Sequence, residues 1–309
     1  MEPKMGSPFT IILYSDDSVK AGNIARQCFS LVDSFNLIFS DYIDSSELSK
    51  LNASAGLNIS PVKVSPALFD ILILSKNAYY KSGGAFDITI GPVVKLWRKA
   101  RKTKQFPAPD LVQSARKLTG FENVRIDSVN KLVRLTKHGM QLDLGGIAKG
   151  YIAQKIIDFL LSQQVNCALV NAGGDIVMSG APPGSGGWRI GTNVPETSDQ
   201  LLSQLLLMQN KAVATSGDVY KFIENGGKRY SHIIDPRSGY GVTFQRNVTV
   251  IANEGATADW LATACSVLPA DAAKRLAMQC GAEVLIGEIK DGKIKLNSTK
   301  GFDRYWEQK

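Results

Sequence analysis

The chain has 309 residues, of which 44% are hydrophobic and 21% charged, a balance typical of a globular protein with an ample core. Its formal net charge of +8 permits an anionic partner, but most of the charge is scattered, and we predict no nucleic-acid partner. No apolar stretch is long enough to span a membrane, and the four cysteines form neither a CxxC pair nor a metal-ligand spacing, so we expect no transmembrane segment and no disulfide.

The first half of the chain predicts a strand, two helices and a hairpin. We expect the strand over residues 9–15, after which Asp16 or Asp17 caps a helix with regularly spaced apolar positions. Ser65 followed by Pro66 marks the second helix start, a cap with proline in the first turn. Residues 124–127 and 132–136 flank a short polar turn and predict the hairpin.

One dense basic run lies between these elements, and its members are Lys95, Arg98, Lys99, Arg101, Lys102 and Lys104. We interpret the run as a solvated helix end or loop, because charged runs usually face water. A docking patch for a partner is the alternative.

The second half alternates strands, glycine turns and helices. We predict strands over residues 141–144, 167–171, 176–178, 188–191, 211–215, 247–252, 283–287 and 293–296, and helices over residues 149–161, 256–268 and 271–280. No repeat or linker interrupts the pattern, so we predict one mixed α+β domain over residues 1–309, with intertwined lobes.

Several predicted strands end in small residues next to a charged one. Gly145 and Gly146 precede a helix start with Lys149, and such a corner suits a phosphate, although a tight turn with a surface lysine explains it equally well. Residues 171–175 and 214–218 repeat the theme, with a carboxylate at each strand end. The recurrence suggests that these loops converge on one cleft.

Two further features favour acid–base and metal chemistry. His232 lies in a turn-rich stretch before Asp235 and Pro236, and it is either a proton acceptor or a histidine bonded to backbone without a catalytic role. Asp259 and Thr263 are four residues apart on one face of a predicted helix. Their oxygens suit Mg²⁺, although a carboxylate near a helix start and a threonine bonded to a carbonyl also explain them.

Together these motifs resemble the flavin transferases of the ApbE family. The resemblance runs from Met5 through Ala264, and each motif alone is weak, but their common order is specific. The matching stretches are residues 46–52, 84–92, 142–150, 171–175, 216–218, 232–239 and 258–263.

The resemblance implies an ApbE-like, T-fold-related architecture and a role for each matching residue. Asp259, Thr263 and the main-chain carbonyl of Ala148 match Mg²⁺ ligands, and Lys149 matches a residue near the phosphates of FAD. His232 matches a histidine that deprotonates the acceptor hydroxyl. The stretches that line the FAD pocket contain Met5, Tyr42, Asn52, Asp87, Ser216, Asp218 and Asp235.

The implied reaction moves FMN from the substrate FAD to a threonine or serine hydroxyl of an acceptor protein and releases AMP. In such systems the acceptor is a flavoprotein subunit of a redox complex or a reductase, with a Ser-Gly-Ala-Thr-like site. Thr257 only partly matches such a site, so we interpret it as a helix cap. One alternative is a Mg²⁺-dependent FAD pyrophosphatase, with a balance set near Asn52; the other is a non-catalytic flavin-binding protein.

The position of the first motif bears on localisation. Met5 begins that motif, which leaves no room for the leader that many relatives carry. We expect a periplasmic or cell-envelope protein whose leader has been removed, with a cytoplasmic location as the alternative.

Overall fold

The structure is a computed structural model, and it describes residues 1–58, 60–192, 202, 204–217, 222–290 and 293–308. Its strands in chain order are β1 (Glu2–Lys4), β2 (Ser7–Leu13), β3 (Val62–Lys63), β4 (Val124–Asp127), β5 (Leu132–Leu135), β6 (Ala168–Ala172), β7 (Asp175–Ser179), β8 (Trp188–Ile190), β9 (Leu206–Met208), β10 (Lys211–Gly217), β11 (Phe222–Asn225), β12 (Lys228–Ser231), β13 (Ile234–Asp235), β14 (Tyr240–Gly241), β15 (Arg246–Ala252), β16 (Glu283–Lys290) and β17 (Lys293–Ser298). Its helices are α1 (Ser18–Phe39), α2 (Glu47–Ala53), α3 (Pro66–Lys81), α4 (Gly91–Thr103), α5 (Pro109–Arg116), α6 (Ala148–Ser162), α7 (Gly255–Val267) and α8 (Ala270–Gln279).

The chain divides into two compact units that each combine separate segments. Unit 1 comprises Met1–Phe35, Ile147–Val219 and Gln245–Lys309. Unit 2 comprises Asn36–Gly146 and Tyr220–Phe244. The assignment of residues 1–309 to a single domain stays a prediction.

Unit 1 is built on an antiparallel sheet with the described strand order β1-β2-β6-β7-β10-β15-β16-β17. Every residue of β15 is buried, as expected of a strand covered on both faces. Helix α7 consists largely of small and apolar residues, and it packs against β10, β15 and helix α6. A helix that is apolar on all sides belongs in the interior, so α7 forms the centre of this unit.

Unit 2 contains helices α2 to α5, the three-stranded sheet β3-β5-β4 and the hairpins β11–β12 and β13–β14. Ser46 caps α2, since its hydroxyl accepts the N–H of Ser49 at 3.0 Å. Helix α4 buries Trp97 completely against Phe106, Tyr230 and Tyr240. This aromatic cluster packs α4 against the segment that runs from β12 to β14.

Most of the predicted elements are confirmed within a few residues. Asp17 caps α1 by accepting the N–H of Lys20 at 2.9 Å, and Ser65 caps α3 by accepting the N–H of Leu68 at 3.2 Å. The predicted hairpin is β4–β5. No disulfide joins the four cysteines, all of which lie in the described residues. None of the helices in the described ranges combines the length and apolar character that a membrane crossing requires.

The strand predicted over residues 141–144 is wrong. Gln141 forms only an isolated bridge with Ile90. The peptide groups of Leu142 bond to the side chain of Asn52, and Asp143 donates its N–H to the carbonyl of Ile88 at 2.7 Å. The backbone groups are therefore satisfied by a side chain and a loop instead of a neighbouring strand.

Two local predictions need correction. Thr257 is not a cap, because α7 begins at Gly255 and its cap position is Glu254. Asp259 consequently lies beyond the first turn of α7, where the helix dipole has little effect. The basic run lies in α4 and ends at the C-terminal cap of that helix, Lys104. The sequence patterns had not indicated α2, α4 or α5 as helices.

Candidate active site

An ion pair in unit 1 joins two of the glycine-rich corners. Lys149, the second residue of α6, places its Nζ 2.5 Å from Oδ2 of Asp175, the first residue of β7. The Asp175 side chain is only 7% exposed. Burial would lower the pKa of Lys149, but the carboxylates of Asp175 and Asp259 together raise it. The ammonium group is therefore held charged beside two acids.

Asp259 is the second acid of this cluster. It is buried in α7, and its Oδ2 accepts the N–H of Gly150 at 3.0 Å. Burial and the charge of Asp175 raise its pKa to about 8, although Lys149 opposes the shift. Burial also raises the pKa of Asp175, again against the effect of Lys149. Two buried carboxyl groups thus face one ammonium group, and a bound cation would favour the ionised form of Asp259.

The starts of α6 and α7 touch each other through two glycines. A Cβ on Gly150 would lie 2.2 Å from the carbonyl oxygen of Gly255, and one on Gly255 would lie 2.1 Å from the carbonyl oxygen of Gly150. Only residues without a side chain permit this approach. Because helix N-termini carry unbonded N–H groups and a partial positive charge, two of them side by side suit an anionic ligand.

Further predicted site residues lie at the same end of the sheet in unit 1. Met5 and Gly6 form the turn between β1 and β2, with φ angles of 51° and 70°. A Cβ on Gly173 would lie 2.5 Å from Cβ of Ser7, so this turn packs beside the β6–β7 turn. Since Val213 pairs with Ile176, β10 continues past that turn to Ser216. Asp218 lies outside the described residues.

The predicted metal ligands fit a hard cation by their chemistry. Thr263 follows Asp259 by one helical turn and is half-buried, and Ala148 precedes the glycine that bonds to Asp259 by two residues. A carboxylate, a hydroxyl and a carbonyl are the oxygen donors that Mg²⁺ prefers. The described residues contain no cluster of three or more His, Cys, Asp or Glu side chains suited to a metal, and the predicted set is not of that kind.

In unit 2, both polar atoms of the Asn52 side chain bond to backbone groups. Its Nδ2 donates to the carbonyl of Leu142 at 3.0 Å, and its Oδ1 accepts the N–H of Leu142 at 2.8 Å. The side-chain amide therefore pairs with the N–H and the carbonyl of one residue, as a neighbouring strand would. Asn52 fixes the segment that leads to the glycine corner, a role that sequence reasoning missed.

Asp87 lies close to the same segment. It is 6% exposed, and its Oδ1 accepts from the N–H of Thr89 at 2.8 Å and from the Thr89 hydroxyl at 2.7 Å. Burial raises the pKa of Asp87 to about 6, although the bonds from Thr89 oppose the shift. The adjacent Ile88 accepts the N–H of Asp143, so the residue after Asp87 and the side chain of Asn52 both hold residues 142–143.

His232 lies in a bend between β12 and β13. Both neighbours are fixed: Ser231 donates its N–H to Val242, and Ile233 accepts the N–H of Val242 at 3.0 Å. Asp235 binds Arg237, whose Nε and Nη2 each lie 2.8 Å from its carboxylate oxygens. The backbone that carries His232 is thus held on both sides, as a proton acceptor of defined position requires.

Arg98 joins this part of unit 2, and sequence reasoning had placed it in the basic run. Its Nη2 lies 2.7 Å from Oδ2 of Asp143, and its Nη1 bonds to Asp41. Its guanidinium lies 4.5 Å from the ring centroid of Tyr42. Burial and the charge of Asp41 raise the pKa of Asp143, although Arg98 opposes the shift. Tyr42 and the glycine corner therefore share one partner.

The site residues thus form separate groups. Within unit 1 the structure brings Lys149 and Asp259 together with Asp175, which the sequence had shown only as a turn carboxylate, and the same unit contains Met5, Ala148, Ser216 and Thr263. Within unit 2, Asn52 and Ile88, the neighbour of Asp87, bond to residues 142–143, and Tyr42 is linked to Asp143 through Arg98. His232 and Asp235 lie on the segment from β12 to β14. Whether these residues bind FAD or Mg²⁺ stays a prediction.

Comparison with known proteins gives the family. A profile of the ApbE family matches residues 5–286. An FAD:protein FMN transferase from Klebsiella pneumoniae (strain 342) is 36% identical over 256 residues, which cover 82% of this chain and 77% of that protein. One from Treponema pallidum (strain Nichols) is 35% identical over 257 residues, covering 79% of this chain and 70% of that protein.

The fold agrees with solved structures. The flavinyl transferase ApbE of Pseudomonas stutzeri, in its apo form, is 28% identical, with a TM-score of 0.86 over 99% of this chain and 95% of that chain. This likeness confirms the predicted α+β class. Because the family profile covers most of the sequence and both relatives exceed 30% identity, the chain belongs to the ApbE family.

Proposed function

We propose that this protein transfers FMN from FAD to a threonine or serine hydroxyl of an acceptor protein, in the presence of Mg²⁺, and releases AMP. The names of its relatives support flavin transfer from FAD to a protein. The observation that carries the proposal is the cluster of Lys149, Asp175 and Asp259 at the touching starts of α6 and α7. The cluster combines the charged ammonium of Lys149, two buried carboxyl groups and two helix N-termini. These groups together suit the binding of a pyrophosphate and a metal ion.

Asp259, Thr263 and the carbonyl of Ala148 would hold Mg²⁺, whose chemistry is to neutralise charge on the pyrophosphate. Lys149 contributes a second positive charge from the first turn of α6, where Asp175 fixes its direction. The N–H groups of Gly150 and Gly255 already bond to Asp259 and Gln154, and the other N–H groups at the helix starts add donors that need no reorganisation during the reaction.

His232 would accept the proton of the acceptor hydroxyl. A threonine hydroxyl is too weakly acidic to attack phosphorus unaided, so its oxygen forms the new P–O bond as the proton moves to the imidazole. The bond between the FMN phosphorus and the bridging oxygen of FAD breaks, and AMP leaves with that oxygen. The bonds on both sides of His232 suit this role because they fix its backbone.

The test is incubation of the protein with FAD and Mg²⁺, with and without a protein fragment that carries a Ser-Gly-Ala-Thr site. Mass spectrometry of the fragment and chromatography of the nucleotides are compared. Addition of one FMN with an equal amount of AMP is the expected result. AMP and free FMN without a modified fragment would instead support the pyrophosphatase, and intact bound FAD would support a flavin-binding protein.

Two variants separate the proposed roles. Asp259→Asn should remove the dependence on Mg²⁺ together with most of the activity, whereas His232→Gln should bind FAD normally and lose transfer. His138→Gln is the matched control for the histidine, because His138 is exposed in a turn. Full transfer by His232→Gln would contradict the role of the imidazole as proton acceptor.

A further inference from the structure

Arg98 bonds at once to two acids and an aromatic ring. Its side chain, on α4, is 26% exposed, and those of its partners Asp41 and Asp143 are 13% and 9% exposed. One guanidinium nitrogen bonds to each carboxylate, and the central carbon of the guanidinium lies over the ring of Tyr42. A guanidinium offers several N–H donors and a flat face, so it makes all three contacts where a lysine would make one.

Arg98 restrains the Tyr42 ring and one carboxylate oxygen of Asp143. The Tyr42 residue is 75% exposed, and a cation over its ring at 4.5 Å restricts an aromatic group that otherwise faces water. Asp143 accepts the N–H of Gly145 at 2.8 Å through Oδ1, while Oδ2 bonds to Arg98. The carboxylate of Asp143 thus transmits the position of Arg98 to the glycine corner.

The ordinary interpretation of such a contact is a surface ion pair of small energetic value. Two observations indicate that the contacts of Arg98 have a larger effect than a surface ion pair. Asp41 and Asp143 come from distant parts of the chain and both are largely buried, so the arrangement spans two loops. Asn52 bonds to Leu142, and Ile88 bonds to Asp143. Several elements therefore hold the segment that leads into the glycine corner.

We infer that Arg98 is a positioning residue for FAD, which holds the Tyr42 ring and residues 142–145 in their binding arrangement before the ligand arrives. The inference rests on the proposed function. Arg98 acts through Tyr42 and Asp143 and does not touch the reacting atoms. The contacts of Arg98 with Tyr42 and Asp143 exist in the free protein. When Arg98 is replaced, the free-energy cost of ordering these groups is added to FAD binding.

The experiment compares the whole protein with Arg98→Met, Arg98→Lys and the control Lys99→Met, which alters an exposed side chain at the next position of α4. Equilibrium dialysis gives the Kd of FAD, and steady-state transfer gives KM and kcat. Arg98→Met should raise Kd and KM about tenfold while kcat stays within about twofold, because only the free state is disordered. Arg98→Lys should fall between Arg98→Met and the wild type.

Hydrogen exchange of the free protein supplies a measurement that does not depend on turnover. Arg98→Met should speed exchange in fragments covering residues 142–145, where the Gly145 N–H is bonded to Asp143, and Lys99→Met should not. Equal Kd and equal exchange in the two methionine variants would overturn the inference, as would a loss confined to kcat. Wild-type protein that binds FAD but transfers nothing would overturn the proposed function alone, and the Kd comparison would still decide the role of Arg98.

Discussion

Gly150 and Gly255 press the starts of two helices together, with space for a Cβ at neither position. In Gly150→Ala the new carbon would meet the Gly255 carbonyl oxygen at 2.2 Å. We expect the free energy of unfolding to fall by about 1–3 kcal/mol, because the helices must separate, and activity to fall with it. Urea denaturation measures the change.

The control is Gly22→Ala in α1, where a Cβ would find its nearest neighbour, an Arg26 side-chain nitrogen, at 4.0 Å. Alanine should stabilise that helix by about 0.5–1 kcal/mol, since it costs less conformational entropy than glycine. A stabilising effect of Gly150→Ala would show that the two helix starts do not touch.

Variants of the Lys149–Asp175 pair distinguish the contribution of Lys149 to stability from its contribution to flavin transfer. Lys149→Met leaves the Asp175 carboxylate buried without its ammonium partner, and the free energy of unfolding should fall by about 3 kcal/mol. The double variant with Asp175→Asn removes the stranded charge and should recover most of that loss. Transfer should stay about a hundredfold down in both variants, since neither has the cation.

Thermal melts and initial rates on the two single variants and the double variant complete the cycle. Recovery of transfer in the double variant, together with stability, would assign Lys149 a purely structural role.

Asp87 predicts a pH dependence of stability. Its pKa is raised from 3.8 to about 6 in the folded protein, mainly by burial. Between those values the folded state keeps a proton that the unfolded chain has lost, so stability falls as the pH rises through this window. Asp87→Asn mimics the protonated form, and its stability relative to the wild type should rise by roughly 2 kcal/mol from pH 4 to pH 6.

Urea midpoints at half-unit steps of pH test this expectation. Asp70→Asn, at an exposed position of α3, controls for the loss of one negative charge. A relative stability of Asp87→Asn that stays level, or falls, across the window would contradict a raised pKa.

Trp97 links the core of unit 2 to the segment that carries His232. Its Nε1 donates to the carbonyl of Gly239 at 2.8 Å, and the side chain is completely buried. Trp97→Phe leaves that carbonyl without its donor, so stability should fall by about 1–3 kcal/mol. Transfer at saturating FAD should also fall, because the segment ending at Gly239 loses an anchor.

Trp188→Phe tests whether the second effect is local. The Trp188 indole donates to the carbonyl of Gly180 at 2.8 Å, so the same kind of bond is lost in unit 1. Stability should fall by a similar amount while kcat is retained. Equal losses of kcat in the two variants would mean that instability, and not the position of the segment, limits transfer.

Local signals were sufficient where a helix start depends on its own residues. Ser65 and Pro66 predict the start of α3 because cap and proline act within one turn. The same holds for Asp259 and Thr263, whose spacing alone places them on one helix face. These features need no knowledge of the rest of the chain.

Partners distant in sequence account for what sequence could not predict. Residues 141–144 have the apolar alternation of a strand, yet Leu142 bonds to Asn52, which lies 90 positions earlier. Lys149 and Asp175 each appeared as the ordinary end of a turn, and their ion pair spans 26 positions. Arg98 was hidden in a basic run because nothing in the run distinguishes it from its exposed neighbours.

Unit 1 is assembled from segments that are separated in sequence, and this separation affects how the chain folds during synthesis. Strand β2 pairs with β6, but the first segment of unit 2, Asn36–Gly146, lies between them in sequence. During synthesis β2 must wait for that whole segment before its partner emerges, and distant pairing of this kind slows folding. The apolar side chains of β2 are exposed meanwhile, so production of this protein should depend on temperature and chaperones more than its final stability would suggest.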